Sequence, residues 1–266
     1  MTTSRGVVIA RSEMDSYLSI PCSELYFLAD SHFRDGRIPE EAERRCRFVH
    51  FLSQIPDNSA VFLLGDIFDF YFEYATFVSK RYFDIYDALY RTTSRGVDVH
   101  FLAGNHDAWY TDFLTNDLGI TSHGEDVFVE SQGRKIWCTH GDLFMPGDGS
   151  YKAIRAIIRN PLVIKMSKII HPDLMDAIAT RVSNNSKHRN RRSVEHMAKK
   201  IVARSNEEFF AKGNDIFVMG HVHYPLHNTR GDKDIMIVGD WIRNFTFGRL
   251  KDGRLSLEKF TREATD

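Results

Sequence analysis

Only three cysteines, Cys22, Cys46 and Cys138, occur in 266 residues. So few, scattered and odd in number, they cannot frame a disulfide-stapled fold. No Cys-x-x-Cys pair offers structural zinc spacing, so a reducing cytoplasm is the expected compartment. Long apolar runs are also missing, since none reaches the ~18 uncharged residues that a membrane span needs. The first apolar stretch, residues 7–10, is too short for the core of a signal sequence and is soon followed by Glu13 and Asp15. A net charge of −1 gives the molecule as a whole no attraction for nucleic acid. There is no internal repeat and no low-complexity stretch. What the chain has in quantity is apolar side chains, 42% of the total. That is enough to bury one α/β domain carrying a sizeable insertion.

The charge is unevenly spread. Residues 151–204 hold thirteen Lys/Arg against three acids, a surplus of ten positive charges. Such a block reads either as a solvated helical face or as a surface for an anionic partner.

Five short apolar runs each end in polar, ligand-like residues. Residues 25–29 lead to Asp30, and 61–64 to Gly65-Asp66. Residues 97–103 lead to Gly104-Asn105-His106-Asp107, 135–139 to His140-Gly141-Asp142, and 216–219 to Gly220-His221-Val222-His223. These runs predict buried strands. Helical spacing fills the intervals. Behind Pro39, residues 40–52 set Phe48, Val49 and Leu52 on one side; in 77–92, Phe83, Tyr86, Leu89 and Tyr90 recur. Strand alternating with helix predicts an α/β core. Ligands in such sheets gather beyond the carboxyl ends of strands, so the five loops are expected to converge on one site. Closing strands are predicted at 235–238, 244–247 and 255–260, with turns at Gly231-Asp232 and Asp252-Gly253. From 151 to 210 the period is helical, with Ile154, Ile157 and Ile158, then Val163, Met166 and Ile170, then Leu174, Met175 and Ile178. Pro161 and Pro172 each suit the first turn of a new helix. The expected organisation is a core of residues 1–149 and 211–266 with a helical insertion at 150–210.

Singly, Asp-x-His and Gly-Asp are ordinary loop residues. Five such motifs, each closing a strand, form a set of oxygen and nitrogen ligands. In an extended chain residues i and i+2 aim the same way, so Asp30 with His32, and His221 with His223, are expected to share a metal neighbourhood. Carboxylate, imidazole and amide oxygen without thiolate suit Mn, Fe, Co or Zn rather than structural zinc. Two cations ~3.5–4 Å apart need a shared ligand, and Asp66 is the natural candidate. Such a pair lowers the pKa of an attacking water and neutralises charge at phosphorus.

On these motifs the chain resembles the calcineurin-like metallophosphoesterase family over nearly its whole length. The resemblance implies a β-sandwich flanked by helices and two divalent cations, Mn2+ favoured. One cation would be held by Asp30, His32, Asp66 and His223, the other by Asp66, Asn105, His140 and His221. His106 would meet the phosphate or the leaving oxygen as acid or electrostatic stabiliser, with Asp107 orienting it. Asp69 and Asp142 would give structural support.

Three stretches resemble the UDP-2,3-diacylglucosamine hydrolase branch. The first runs from His140 through Asp148-Gly149-Ser150-Tyr151 to Arg155. The second is residues 181–190, and the third is the aromatic run 68–74. The branch implies cleavage of the pyrophosphate of UDP-2,3-diacylglucosamine at the α-phosphorus. The products are UMP and 2,3-diacylglucosamine 1-phosphate, a step in lipid A synthesis. A helical lid would hold the two acyl chains. Asp148, Ser186 and Asn190 match substrate-contacting positions alongside Asn105 and His221, with Tyr151 close by. Part of the branch carries Arg where His106 stands and Lys where Ser193 stands. An apolar groove beside a cationic rim suits such an amphiphile, and the basic insertion is expected to rest on the inner membrane's cytoplasmic face. The alternatives are a soluble-substrate metallophosphoesterase (a phosphoprotein phosphatase or cyclic-nucleotide phosphodiesterase) and a non-catalytic scaffold. Scaffolds of this fold usually lose a motif histidine, and this chain retains them all. Beyond the motifs, Cys138 reads as a small buried hydrophobe, and the aromatic run 68–74 as packing against a helix. Trp109 and Tyr110 read equally well as site wall or as core.

Overall fold

The computed structural model describes residues 17–144, 155–185, 191–210 and 213–261. In chain order the strands are β1 Leu18–Ser19, β2 Glu24–Leu28, β3 Ser59–Leu63, β4 Asp98–Leu102, β5 Thr121–His123 and β6 Asp126–Ser131. They continue with β7 Arg134–Thr139, β8 Ile216–Met219, β9 Leu226–Arg230, β10 Lys233–Ile237, β11 Thr246–Lys251 and β12 Arg254–Lys259. The longer helices are α1 Pro39–Gln54, α2 Phe83–Ser94, α3 Pro161–Ser167, α4 Pro172–Asn185 and α5 Arg191–Glu208.

Strand alternation sorts the side chains into layers. Every residue of β2 and β3 is buried, so both faces of these strands need cover. Leu25, Phe27, Ala60 and Phe62 face a core shared with Ile136, Cys138, Ile216, Val218 and Met236 of the opposing sheet. The alternate residues, Tyr26, Leu28, Val61 and Leu63, pack instead with Phe48 and Leu52 of α1 and Ile85 and Leu89 of α2. On the far side of the second sheet, Trp137, Phe217, Met219, Ile235 and Ile237 are covered by Phe209 and by Ala198 and Ile201 of α5. Two sheets packed face to face, with helices outside each, are the expected sandwich.

The sheet orders are β12-β11-β2-β3-β4-β5 and β1-β6-β7-β8-β10-β9. Within the first, β2, β3 and β4 are parallel neighbours; within the second, β7, β8 and β10 are. Parallel strands bring their carboxyl ends to one edge, so each sheet offers three adjacent loops there. Pro161 and Pro172 open α3 and α4 as expected, and Asn160 caps α3 by accepting from Leu162 N at 2.8 Å. Helix α2 starts later than its spacing suggests, because residues 80–82 form a tighter turn and Phe77 remains exposed. Among the described residues, no helix is long and apolar enough to cross a membrane.

One ion cluster fastens β2 to β11. Glu24 is buried and accepts from Arg249 Nε at 2.9 Å and Nη2 at 2.8 Å, and it pairs with Lys251 Nζ at 2.9 Å. The Arg249 fork, against the opposing effect of burial and with help from Tyr26 and Lys251, lowers its pKa from 4.5 to about 2. A folded pKa below the unfolded one gives stability that is full above the ordinary carboxylate range and is lost as pH falls toward 2. Glu24→Gln is expected to cost about 2 kcal/mol at pH 7. It should also flatten the fall in stability between about pH 4.5 and 2, read by urea unfolding across pH.

Candidate metal centre

All five predicted loops meet at this shared edge. Asp30 and His32 follow β2, Asp66 follows β3, and Asn105 and His106 follow β4; His140 follows β7, and His221 and His223 follow β8. One ligand atom each from Asp30, His32 and His223 lie within 4.8 Å of one another, as do those from Asp66, His140 and His221. His32 Nε2 is 3.5 Å from Asp66 Oδ2, as is His140 Nε2, so Asp66 stands between the two groups. Asn105 Oδ1 is 3.2 Å from His140 Nε2. The positions predicted at Asp148, Tyr151, Ser186 and Asn190 lie outside the described residues.

The backbone reaches this arrangement by a route the sequence reading did not foresee. Asp30, His32, Asp66, His221 and His223 all have φ between +43° and +65°, in the left-handed region. The i, i+2 pairs are therefore not presented by an extended chain. Each such non-glycine residue costs about 1–3 kcal/mol and persists only where the surroundings over-determine it. Here they do: Asp30 N donates to Gly65 O, His32 N to Asp66 O, and His221 N to Asp30 Oδ2. Gly65 and Gly104 make the loops' close approach feasible. A Cβ on Gly104 would overlap the Asp66 carboxylate and amide, and one on Gly65 would lie 2.5 Å from Gly104 N. Gly104→Ala is therefore expected to cost about 2–3 kcal/mol and to displace Asp66. Thermal melts in EDTA, with metal content measured in parallel, would check both effects.

Hydrogen bonds fix the rings. His140 Nδ1 is 2.8 Å from the Leu64 carbonyl, so that nitrogen donates. Its Nε2 is left facing Asp66 Oδ2, Asn105 Oδ1 and, at 3.1 Å, His221 Nδ1. His32 Nε2 and His223 Nε2 face each other at 3.3 Å. Asp30 Oδ1 is buried and accepts no hydrogen bond among the described residues, though His223 Nε2 lies 3.5 Å away. Carboxylate, amide and imidazole ligand atoms converging around a buried orphan oxygen fit positively charged occupants.

The electrostatics agree. Burial opposes charge on His140, yet Asp66 and Asp30 raise its pKa to about 10. Burial and the His140 charge lower His221 to about 3. Asp66 stays well below the ordinary carboxylate range despite burial, held there by His140, His106 and His32. Burial and the neighbouring Asp66 raise Asp107 to about 6. The role expected of Asp107 needs correction. Its carboxylate accepts from Gly104 N, Asp66 N and Ile67 N, tying two loops together through their backbones. The His106 ring is instead oriented by the Asp69 carbonyl, 2.7 Å from Nδ1. An acceptor-only partner makes Nδ1 the donor.

Sequence reasoning missed two supports. Arg44 is buried and donates to the carbonyls of Ser31, His32 (3.1 Å) and Trp241 (3.2 Å), pinning the first loop. Nothing in a helical Arg marks it for this. Asp240 accepts from the amides of Ile242, Arg243 and Asn244, and Asn244 Nδ2 donates to the His223 carbonyl at 3.2 Å. Gly239-Asp240 ends an apolar run just as Gly65-Asp66 does, a signal that was available. The aromatic run divides. Phe68 and Tyr71 pack on Tyr82 and Tyr86 as expected, whereas Phe70 faces Trp109 and Phe72 faces Tyr74.

The sandwich and its convergent ligands define a class, and the comparison with known families agrees: residues 24–225 match the calcineurin-like phosphoesterase family model. The chain belongs to that family and is a metal-dependent phosphoesterase. It is similar to a Porphyromonas gingivalis protein named UDP-2,3-diacylglucosamine hydrolase, at 31% identity over 83% of this chain and 91% of the relative. Proteins of the same name from Nitrosococcus oceani and Xanthomonas oryzae are 26% and 27% identical. These matches span 82% and 88% of this chain and 87% and 98% of the relatives.

Proposed function

We propose that this chain hydrolyses UDP-2,3-diacylglucosamine to UMP and 2,3-diacylglucosamine 1-phosphate, a step in lipid A synthesis. The observation that carries this reading is the set of relatives bearing that name, which align with more than four fifths of this chain. The helical segment between β7 and β8 supports it. Leu162, Met166, Ile169 and Leu174 are exposed there, and Ile169 is 85% exposed. Apolar side chains left in water suit a two-tailed amphiphile. In this reading residues 1–149 and 211–266 are the core, and 150–210 form a lid over the acyl chains. Lys165 and Lys168, interleaved with those apolar residues, suit an anionic lipid surface on the cytoplasmic face of the membrane.

Two Mn2+ ions complete the proposal. Asp30, His32, Asp66 and His223 would hold one, and Asp66, Asn105, His140 and His221 the other. When bound, such cations supply an acidified water and neutralise charge at phosphorus. The chain's own part is positioning. Asp66 spans both groups, Asn105 stands beside His140, and His106 is held by Asp69 where it can donate to a phosphoryl oxygen.

Purified protein with Mn2+ and the lipid nucleotide should release UMP, and H2-18O should place its label in UMP if attack is at the α-phosphorus. No release above an Asp66→Ala control would sink the reading, as would faster turnover of soluble phosphoesters.

A further inference from the structure

The helical segment between β7 and β8 does more than lie beside the site. Two of its arginines reach the backbone and side chains of the ligand-bearing loops. Arg159 Nη2 donates to Gly104 O at 2.8 Å and to Ala103 O at 3.2 Å. Gly104 O belongs to the peptide that carries Asn105. Arg155 Nε donates to Asp142 Oδ2 at 2.5 Å, two residues beyond His140. Glu125 joins the two arginines, with Oε1 at 2.7 Å from Arg155 Nη2 and 2.9 Å from Arg159 Nη1. Both guanidinium groups are largely buried, at 13% and 17% side-chain exposure. A largely buried Nη2 donating to two successive carbonyls, with Nη1 braced by Glu125, fixes a peptide plane more firmly than a surface ion pair would.

We propose that Arg155 and Arg159 are positioning residues that set Asn105 and His140 for metal binding, and so couple the docking of the helical segment to occupancy of the metal centre. This inference rests on the metal assignment proposed above. Rotation of the Gly104–Asn105 peptide would swing the Asn105 amide away from His140, and Arg159 blocks that rotation. Arg155 restrains the loop beyond His140 from its other end. Among the described residues, the segment also docks at points farther along the chain from Asn105 and His140. Trp109 Nε1 donates to Ile158 O at 2.9 Å, and Arg81 Nη2 pairs with Asp176 Oδ2 at 2.5 Å. The two arginine contacts are therefore separable from docking in general. Linkage is reciprocal: the factor by which these contacts raise metal affinity is the factor by which metal strengthens docking.

The test uses the full chain and Mn2+ as the probe. Arg159→Met, Arg159→Lys, Arg155→Met and the control Arg81→Ala would be compared with wild type. Readouts are Mn2+ affinity by calorimetry, kcat and KM on bis(p-nitrophenyl) phosphate, which has no acyl chains, and amide exchange across residues 161–185 with and without Mn2+. Arg159→Met and Arg155→Met should bind Mn2+ about tenfold or more weakly and lose kcat on the small diester. Arg159→Lys should recover part of both, and Arg81→Ala should keep the wild-type affinity. Mn2+ should slow exchange in 161–185 in wild type and not in the two Met variants. Unchanged Mn2+ affinity in folded Arg159→Met overturns the proposal while leaving the metal centre intact. Should Arg159→Met not fold, the same affinity measured on Arg155→Met and Arg159→Lys decides. A wild type that binds no Mn2+ defeats the metal assignment itself, a separate and recognisable result.

Discussion

Asp66→Asn is expected to lower turnover of every phosphoester by about 10^3-fold or more, with no comparable loss of fold. The side chain change is nearly isosteric, so Gly104 is not crowded and the amide can still accept from His106 N, which lies 2.8 Å from Asp66 Oδ1. What disappears is the one carboxylate between the two ligand groups, 3.5 Å from both His32 and His140. Cation binding to a phosphoryl centre contributes several kcal/mol, which is at least three powers of ten in rate. Metal content by plasma spectrometry and kcat at saturating Mn2+ would be read together. A variant within tenfold of wild type would show that Asp66 is not shared.

His106→Ala is expected to lower kcat by about 10^2- to 10^3-fold with little change in bound metal. The ring is tied through Nδ1 to Asp69, and its centroid lies 4.6 Å from that of His32. Burial disfavours its charged form, but Asp66 and Asp69 outweigh this and raise its pKa. Some of the resembling hydrolases carry Arg at this position, and a guanidinium cannot surrender a proton. The role both residues can fill is charge and hydrogen-bond donation to the phosphoryl group. His106→Arg should accordingly stay within about tenfold of wild type. The loss in His106→Ala should be the same for good and poor leaving groups. A loss that grows with leaving-group pKa would instead make His106 a proton donor.

Much of this was legible because the chemistry is local. An apolar run that stops at Asp30, or at His140-Gly141-Asp142, announces both a buried strand and what it delivers. The observed β2, β3, β4, β7 and β8 end within two residues of those stops. The strands that escaped notice, β1, β5, β6 and β9, are short, polar or at the margins of the sheets. They lack the doubly buried pattern that marks a central strand. The partition into two sheets was carried by resemblance alone, since periodicity shows that a face is buried but not what buries it. Left-handed backbone at Asp30 or His223 leaves no trace in composition. The supports from Arg44, Arg155 and Arg159 depend on distant carbonyls that only the folded chain brings near.

The left-handed ligands carry a further consequence. Glycine at any of those five positions would relieve backbone strain while discarding a donor for the cations. Selection for heat resistance alone would thus erode this corner first, and a hardier descendant would be an inert one. Stability and turnover compete here at the same φ angles.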